Sequence, residues 1–397
     1  MSNMTQTNSQ VSRGIALVGV TCAFLICAQL ATAAGTIGPR EQAKRMYDRI
    51  AGTPATEAQI TDMATDIQNG NAVAAALKAT NASSFYNVTL KNLVTPWTNR
   101  DQTVFAPLND YTATVIGMVR DDKPFNTALS ADILYTVNSS GLPAVSVSNN
   151  DHYDQAEQTG VDLKASLVET TQSATYGIPA EGTAGLITTR AASAAFFIAG
   201  TNRAMFRFTL INHLCRDMEQ VHDTTRPPDR IRQDVSRSPG GDSRIFLNNC
   251  IGCHSGMDPM AQAFAYYNYD ETQGRLIYTP GTVNAKYFIN SDNFKPGFIT
   301  PDNSWENRWH AGPNQIIGWN PQLPGSGQGA KSLGQELAGS EAFAQCQVEK
   351  VFKAVCFRAP GNDTDRAQVV SIRNNFVAGG YKMKQVFAET AVYCMGQ

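Results

Sequence analysis

The chain carries little charge of either sign. Asp, Glu, Lys and Arg make up 17% of its 397 residues, and 32 basic side chains nearly balance 34 acidic ones. A protein that grips nucleic acid through phosphates needs a basic excess, so no nucleic-acid partner is expected. Glycine and proline, at 31 and 18, are too few for a collagen-like or low-complexity chain. There is no internal repeat, phosphate loop, nucleotide fingerprint or convincing Ser-His-Asp arrangement. Histidine is scarce, with five in the chain, and there is one long apolar run, at the N-terminus.

That run is ordered like a removable address. Arg13 is followed by apolar residues from Gly14 to Leu30, broken by Thr21 and Gln29, and then by Ala31-Thr32-Ala33. A positive charge, an apolar stretch and an A-x-A site form a secretory signal peptide, here residues 1–33, with the cut before Ala34. Without twin arginines, export in an unfolded state is expected. The protein is then periplasmic or secreted, with no membrane span once the signal is removed. Six cysteines remain: Cys215, Cys250, Cys253, Cys346, Cys356 and Cys394. In an oxidising compartment each needs a partner or a purpose.

The periodicity predicts a mainly α, multi-part helical protein with long ordered loops. Two helices are expected over 38–80, with Ala43, Met46, Tyr47 and Ile50 on one inner face and Ile60, Met63, Ala64 and Ile67 on the other. Residues 81–113 read as irregular. Residues 124–138 read as helix, with Leu129, Ile133 and Leu134 inward, and 185–221 as a long helical stretch. Residues 216–244 hold six arginines and six acidic residues around Pro227-Pro228. They read as a charge-balanced, solvated connection, the alternative being that one of Arg226, Arg230, Arg232, Arg237 or Arg244 turns inward onto an anionic cofactor group. Residues 280–330, with Trp305, Trp309 and Trp319, read as a long ordered loop. Helical spacing returns from Ser332 to the end.

One motif carries chemistry. Cys250-Ile251-Gly252-Cys253-His254 is C-x-x-C-H, the attachment sequence of c-type haem. Cysteines three apart on a helical turn present two sulfurs to the two vinyl edges of one porphyrin, and the adjacent imidazole reaches the iron. Rival dithiol and zinc readings need a βαβ setting or further ligands at short spacing, and neither is present. A single motif means one covalently attached haem c, held by Cys250, Cys253 and His254. The sixth iron ligand is open among His152, His213, His222 and His310 and the methionines Met205, Met218, Met257, Met260 and Met383. Met257 and Met260 lie too near His254 to reach the opposite face, Met383 and His213 read as core, and His310 in the Trp-bearing loop is the candidate. Asp258-Pro259 reads as ending the haem turn and starting a helix over 260–268.

The remaining four cysteines read as two disulfides. On one straight helix over 341–357, Cys346 and Cys356 would lie about 15 Å apart, beyond the roughly 7 Å limit for a disulfide. That pairing is disfavoured, and Cys394 is expected to tie the C-terminus onto the preceding helix.

The stretch Cys253-His254-Ser255-Gly256-Met257-Asp258-Pro259, followed by Phe264-Ala265, Asp270 and Gly274-Arg275, resembles the haem segment of the planctomycete-type cytochrome C domain family. Lys123-Pro124-Phe125 with Leu129, Ala131-Asp132 and Val137-Asn138 resembles its upstream helical domain. Gly185-Leu186-Ile187-Thr188 and Asn202-Arg203-Ala204 resemble the segment leading into the haem part. Leu337-Ala338 with Ser340, Phe343 and Cys346, then Arg358, Pro360, Phe376 and Gly380-Tyr381, resembles its C-terminal domain. The order of these fragments across most of 120–397 carries the likeness. It implies a secreted, mainly helical protein with one covalent haem on Cys250, Cys253 and His254, and it supplies no substrate. The chain departs from the pattern at Met260-Ala261-Gln262-Ala263 and at Tyr267. The organisation expected is a signal peptide (1–33), an N-terminal helical region (34–115), an upstream helical domain (116–184), a haem-binding cytochrome c-like domain with its long loop (185–330) and a C-terminal helical domain (331–397).

Three functions follow as expectations. An exported electron-transfer cytochrome, served by redox donor and acceptor proteins, fits the motif and the signal. A haem peroxidase or oxygenase with an open sixth position fits the size. A surface binding or assembly protein with a structural haem would use 81–113 and 300–320 as contact surfaces.

Overall fold

A computed structural model describes residues 37–198, 200–288 and 295–396. The expected signal peptide, 1–33, lies outside the described residues. Helix accounts for 57% and strand for 7%, so the protein is mainly α.

Helix α1 (Pro39–Ala51) starts with proline in its first turn and stops at Gly52, whose φ of 70° a glycine adopts without strain. It buries Ala43, Met46, Tyr47 and Ile50, the face read from the spacing. Helix α2 (Glu57–Gln68) is opened by a Thr56–Gln59 capping box. A third helix, α3 (Ala72–Ala79), follows the break at Gly70, where two helices were expected over 38–80.

Residues 81–113 are irregular only in part, at the turns and coil of 99–109. A run of helical turns spans 85–98 and buries Phe85, Tyr86, Leu90, Val94 and Trp97. Their Asn and Thr side chains fold back on the turns: Thr95 Oγ1 donates to the Lys91 carbonyl at 2.7 Å and Asn99 Nδ2 to that of Thr95 at 3.0 Å. Helix α4 (Asp110–Arg120) crosses the 115/116 boundary and is buried nearly all round. The expected helix over 124–138 is also corrected. A short 3-10 turn leads to strand β1 (Leu134–Val137), paired antiparallel with β2 (Leu167–Thr170). Leu129, Ile133 and Leu134 are buried as expected, but by a strand-forming Leu-Tyr-Thr-Val run. The helical stretch over 185–221 is interrupted by a left-handed Asn202, after which come α5 (Arg203–Thr209) and a wider turn to Leu214, closed by a left-handed Cys215.

Helix α6 (Ile251–Ala261) carries the C-x-x-C-H motif. Beyond it lie two more antiparallel ribbons, β3 (Tyr267–Asp270) with β4 (Arg275–Tyr278) and β5 (Ser304–Glu306) with β6 (Ser326–Gln328). The C-terminal part is helical as read: α7 (Gly329–Ala338), α8 (Glu341–Cys356), α9 (Asp363–Ala378) and α10 (Met383–Cys394). Helix α10 returns to pack on α1, α3 and α8. One buried apolar cluster joins residues from Ala43 to Ala391, drawing on all four expected parts.

Two disulfides close this arrangement, Cys215–Cys346 and Cys356–Cys394, with Cα separations of 5.3 and 5.5 Å. Cys346 and Cys356 lie on the single helix α8, which keeps them apart, and Cys394 ties the C-terminus back to its end. No helix among the described residues is long and apolar enough to cross a membrane.

Candidate haem-attachment site

The motif sits on a continuous helical run. A first turn at Ser243–Ile245 passes into a wider π-type turn at Phe246–Cys250 and then into α6. Such π-bulges concentrate at functional sites. Pro259 is inside α6, so Asp258-Pro259 does not end the haem turn; a 3-10 turn and then β3 occupy 262–270 in place of the expected helix. Pro259 falls in the last turn, where its missing N–H costs the helix one bond.

Cys250 and Cys253 are free thiols, both partly exposed. Cys253 Sγ lies 3.4 Å from the Met218 carbonyl oxygen. Burial, helped by Cys250, Glu219 and Asp217, pushes the Cys253 thiol up. Neither sulfur is paired with the other, so both are available for bonding to a vinyl group.

His254 is also partly exposed, and its Nδ1 lies 3.1 Å from Asp258 Oδ1, one turn on. A carboxylate can only accept, so the neutral ring carries its proton on Nδ1 and leaves the Nε2 lone pair outward. No hydrogen bond among the described residues engages Nε2.

Asp258 is fully buried, and its charge is well compensated. Arg203 donates from Nε to Oδ1 at 2.7 Å and from Nη2 to Oδ2 at 2.8 Å. The Arg232 backbone N–H approaches Oδ2 at 3.4 Å. Burial opposes the charge, yet Arg203, Arg232 and His254 hold the carboxyl well below the usual range. Arg203 also donates to Asp234, at 2.9 Å from Nη2. Arg232 is the inward-turning arginine of the 216–244 connection. It is 1% exposed, bonded to Thr201 Oγ1 at 2.7 Å and stacked 4.7 Å from the Tyr287 ring. Asp258 and Asp234 lie 3.9 and 4.0 Å from its guanidinium, whose Nε and Nη1 have no hydrogen-bond partner among the described residues.

Two glycines let the surroundings close on α6. A Cβ at Gly252 would lie 2.3 Å from His222 Nε2, and one at Gly256 2.0 Å from Trp309 Nε1. Asp223 N–H donates to the Gly252 carbonyl at 2.9 Å and Ser255 Oγ to the Asp223 carbonyl at 3.1 Å, fixing the 222–223 chain to the motif. His222 is thus the histidine laid directly against the C-x-x-C segment, and reading the sequence alone did not single it out.

His310 is placed differently. Its Nε2 lies 2.6 Å from Oε1 of buried Glu336, its ring stacks on Trp319, and it lines a polar cleft with Trp305 and Arg230. His213 is buried against Tyr111, and burial holds it well below its ordinary value. Met383 is core, as its helical spacing implied, and Met257 and Met260 are buried too.

A porphyrin needs an apolar wall beside its thiols. Ile245 and Leu247, on the run leading into Cys250, are 40% and 54% exposed. Large apolar groups left in water beside an unpaired dithiol and an oriented imidazole fit the group. Among the described residues no three His, Cys, Asp or Glu side chains converge to hold a metal ion. A haem iron asks less of the protein, since the porphyrin supplies four of its donors. No protein-family model, curated protein or solved structure matches this chain.

Proposed function

We propose that the protein is an exported monohaem c-type cytochrome that transfers electrons, with the haem bonded through Cys250 and Cys253 and its iron held by His254. The observation that carries this is the state of the motif: two unpaired, partly exposed thiols one turn apart, followed by an imidazole whose Nδ1 is held and whose Nε2 is free. A bound haem supplies the one-electron chemistry. The chain's own part is to orient His254 through Asp258, to keep that carboxylate charged with Arg203 and Arg232, and to cover the porphyrin with Ile245 and Leu247. The disulfides Cys215–Cys346 and Cys356–Cys394 support a periplasmic or secreted location. Donor and acceptor proteins complete the reading, and the likeness to the planctomycete-type cytochrome C domain family belongs to it.

One observation favours a second reading, a haem peroxidase or oxygenase. A carboxylate on the far nitrogen makes an imidazole a stronger donor to iron. The test is the visible spectrum of the purified, exported protein, reduced, before and after carbon monoxide. A c-type spectrum that the gas leaves unchanged supports the electron carrier. A spectrum that shifts moves the enzyme reading ahead. Haem that extracts into acidified organic solvent, or is absent, overturns both. His310→Ala that leaves the spectrum unchanged removes that residue as the sixth ligand.

A further inference from the structure

A cleft of about 660 Å³ opens where the 96–102 segment, the 207–220 segment and α8 meet. It is lined by Arg100, Arg207, Arg216, Lys350 and Lys353, with Asp217 the acidic residue among its walls. Asp217 is already committed to Arg207, bonded to both Nε and Nη2 at 2.7 Å. Among the described residues no carboxylate pairs with the other four cations. Arg100 donates to the Ala195 and Ile198 carbonyls at 2.6 and 3.1 Å, and Arg216 to that of Cys215 at 3.3 Å. The Lys350 ammonium lies 3.9 Å from the Trp97 ring centroid and donates to the Asn212 carbonyl.

Four cations without counter-charge are unexpected in one cleft of a chain whose net charge is negative. Charges of one sign gathered against a low-dielectric wall repel one another and concentrate anions. Lys350 is desolvated as well, and burial pulls its ammonium down to about 7. A bound anion would supply the missing counter-charge and charge-assisted hydrogen bonds. Trp97 and Phe208 give the cleft an apolar flank.

We propose that this cleft is a binding site for a small anion bearing a phosphate or carboxylate head, clamped by Arg100, Arg216, Lys350 and Lys353. It stands independently of the haem reading.

Isothermal titration of the mature protein with inorganic pyrophosphate, and separately with citrate, tests it at about 0.1 M salt, where long-range attraction is screened. Binding of either probe is expected, with a loss of about tenfold or more in an Arg216→Met/Lys353→Met double variant. These side chains are at the rim and outside the core, so the variant keeps its fold, checked by its unchanged thermal midpoint. Lys350→Met gives a second reading from deeper in the cleft and is expected to weaken binding in the same direction. Pyrophosphate alone identifies a phosphate head and citrate alone a carboxylate head. No heat from either probe up to about 10 mM, or affinity in the double variant within about threefold of the parent, overturns the proposal.

Discussion

Asp258→Ala probes the network behind His254. The substitution removes the acceptor for two Arg203 hydrogen bonds at 2.7 and 2.8 Å and for His254 Nδ1 at 3.1 Å. Arg203 keeps Asp234. Arg232, 1% exposed, loses its nearest negative neighbour apart from an Asp234 contact at 4.0 Å. Removing one member of a buried ion pair typically costs about 3–5 kcal/mol, because the remaining charge cannot reach water. Asp234 retains part of the compensation, so we expect about 3 kcal/mol, a large share of the roughly 5–15 kcal/mol that holds a typical domain together. Urea denaturation at pH 7 should show a lower midpoint with an unchanged slope. Asp258→Asn keeps the volume and removes the charge, and should fall most of the way toward the alanine variant. Glu57→Gln, which breaks an exposed pair with Arg40, should barely move the midpoint. Under the proposed function, the same asparagine variant weakens the acceptor facing His254 Nδ1 and should raise the reduction potential while the haem stays covalently bound. A loss below about 1 kcal/mol would show that the four buried charges are not coupled as the geometry implies.

Further outcomes follow from the same structure. Gly256→Ala should cost about 1–3 kcal/mol by thermal melting despite alanine's higher helix propensity, because its Cβ would lie 2.0 Å from the indole of buried Trp309; a stabilised variant would refute the close packing of the 308–310 turn on α6. Burial pulls both Lys286 and Lys350 down to about 7 in the folded state, from 10.5. The unfolded chain therefore binds more protons between those values, and stability should rise from about pH 7 toward pH 9.5, by at most about 1.4 kcal/mol per pH unit for each lysine. Lys350→Met should reduce that slope, and a flat or falling profile would show that these ammonium groups are hydrated. Replacing both Cys356 and Cys394 by serine opens a loop with a sequence separation of 38 residues and should cost about 2–4 kcal/mol. Hydrogen exchange in α10 should speed up with it, and exchange unchanged there would mean that packing alone holds the C-terminus.

Legibility in the sequence followed the range of the interactions. The faces of α1 and α2 were readable because their apolar residues recur at helical spacing within a few turns. The same rule failed over 124–138, where Leu129, Ile133 and Leu134 suit a helix as well as a buried strand. Pairing with Leu167–Thr170, more than thirty residues away, decided between them. Within 81–113, the helical turns of 85–98 escape a reading in which Asn and Thr mark loops. Here their side chains bond back to carbonyls of their own turns, and Phe85, Tyr86 and Trp97 find an apolar partner surface only after the chain has folded.

The site divides along the same line. The sequence by itself determined the two sulfurs and the imidazole at C-x-x-C-H spacing on one helical turn, on which the proposed attachment rests. It also disfavoured the Cys346–Cys356 disulfide, because a helix holds those residues apart. Only the tertiary structure decided what stands behind the imidazole. Arg203, Arg232 and Asp234 come from other segments, and a buried carboxylate keeps its charge only where such distant cations meet it. The placement of His222 against Gly252, the engagement of His310 by Glu336 and the gathering of unpaired cations around Lys350 are likewise products of long-range packing, which no local spacing records.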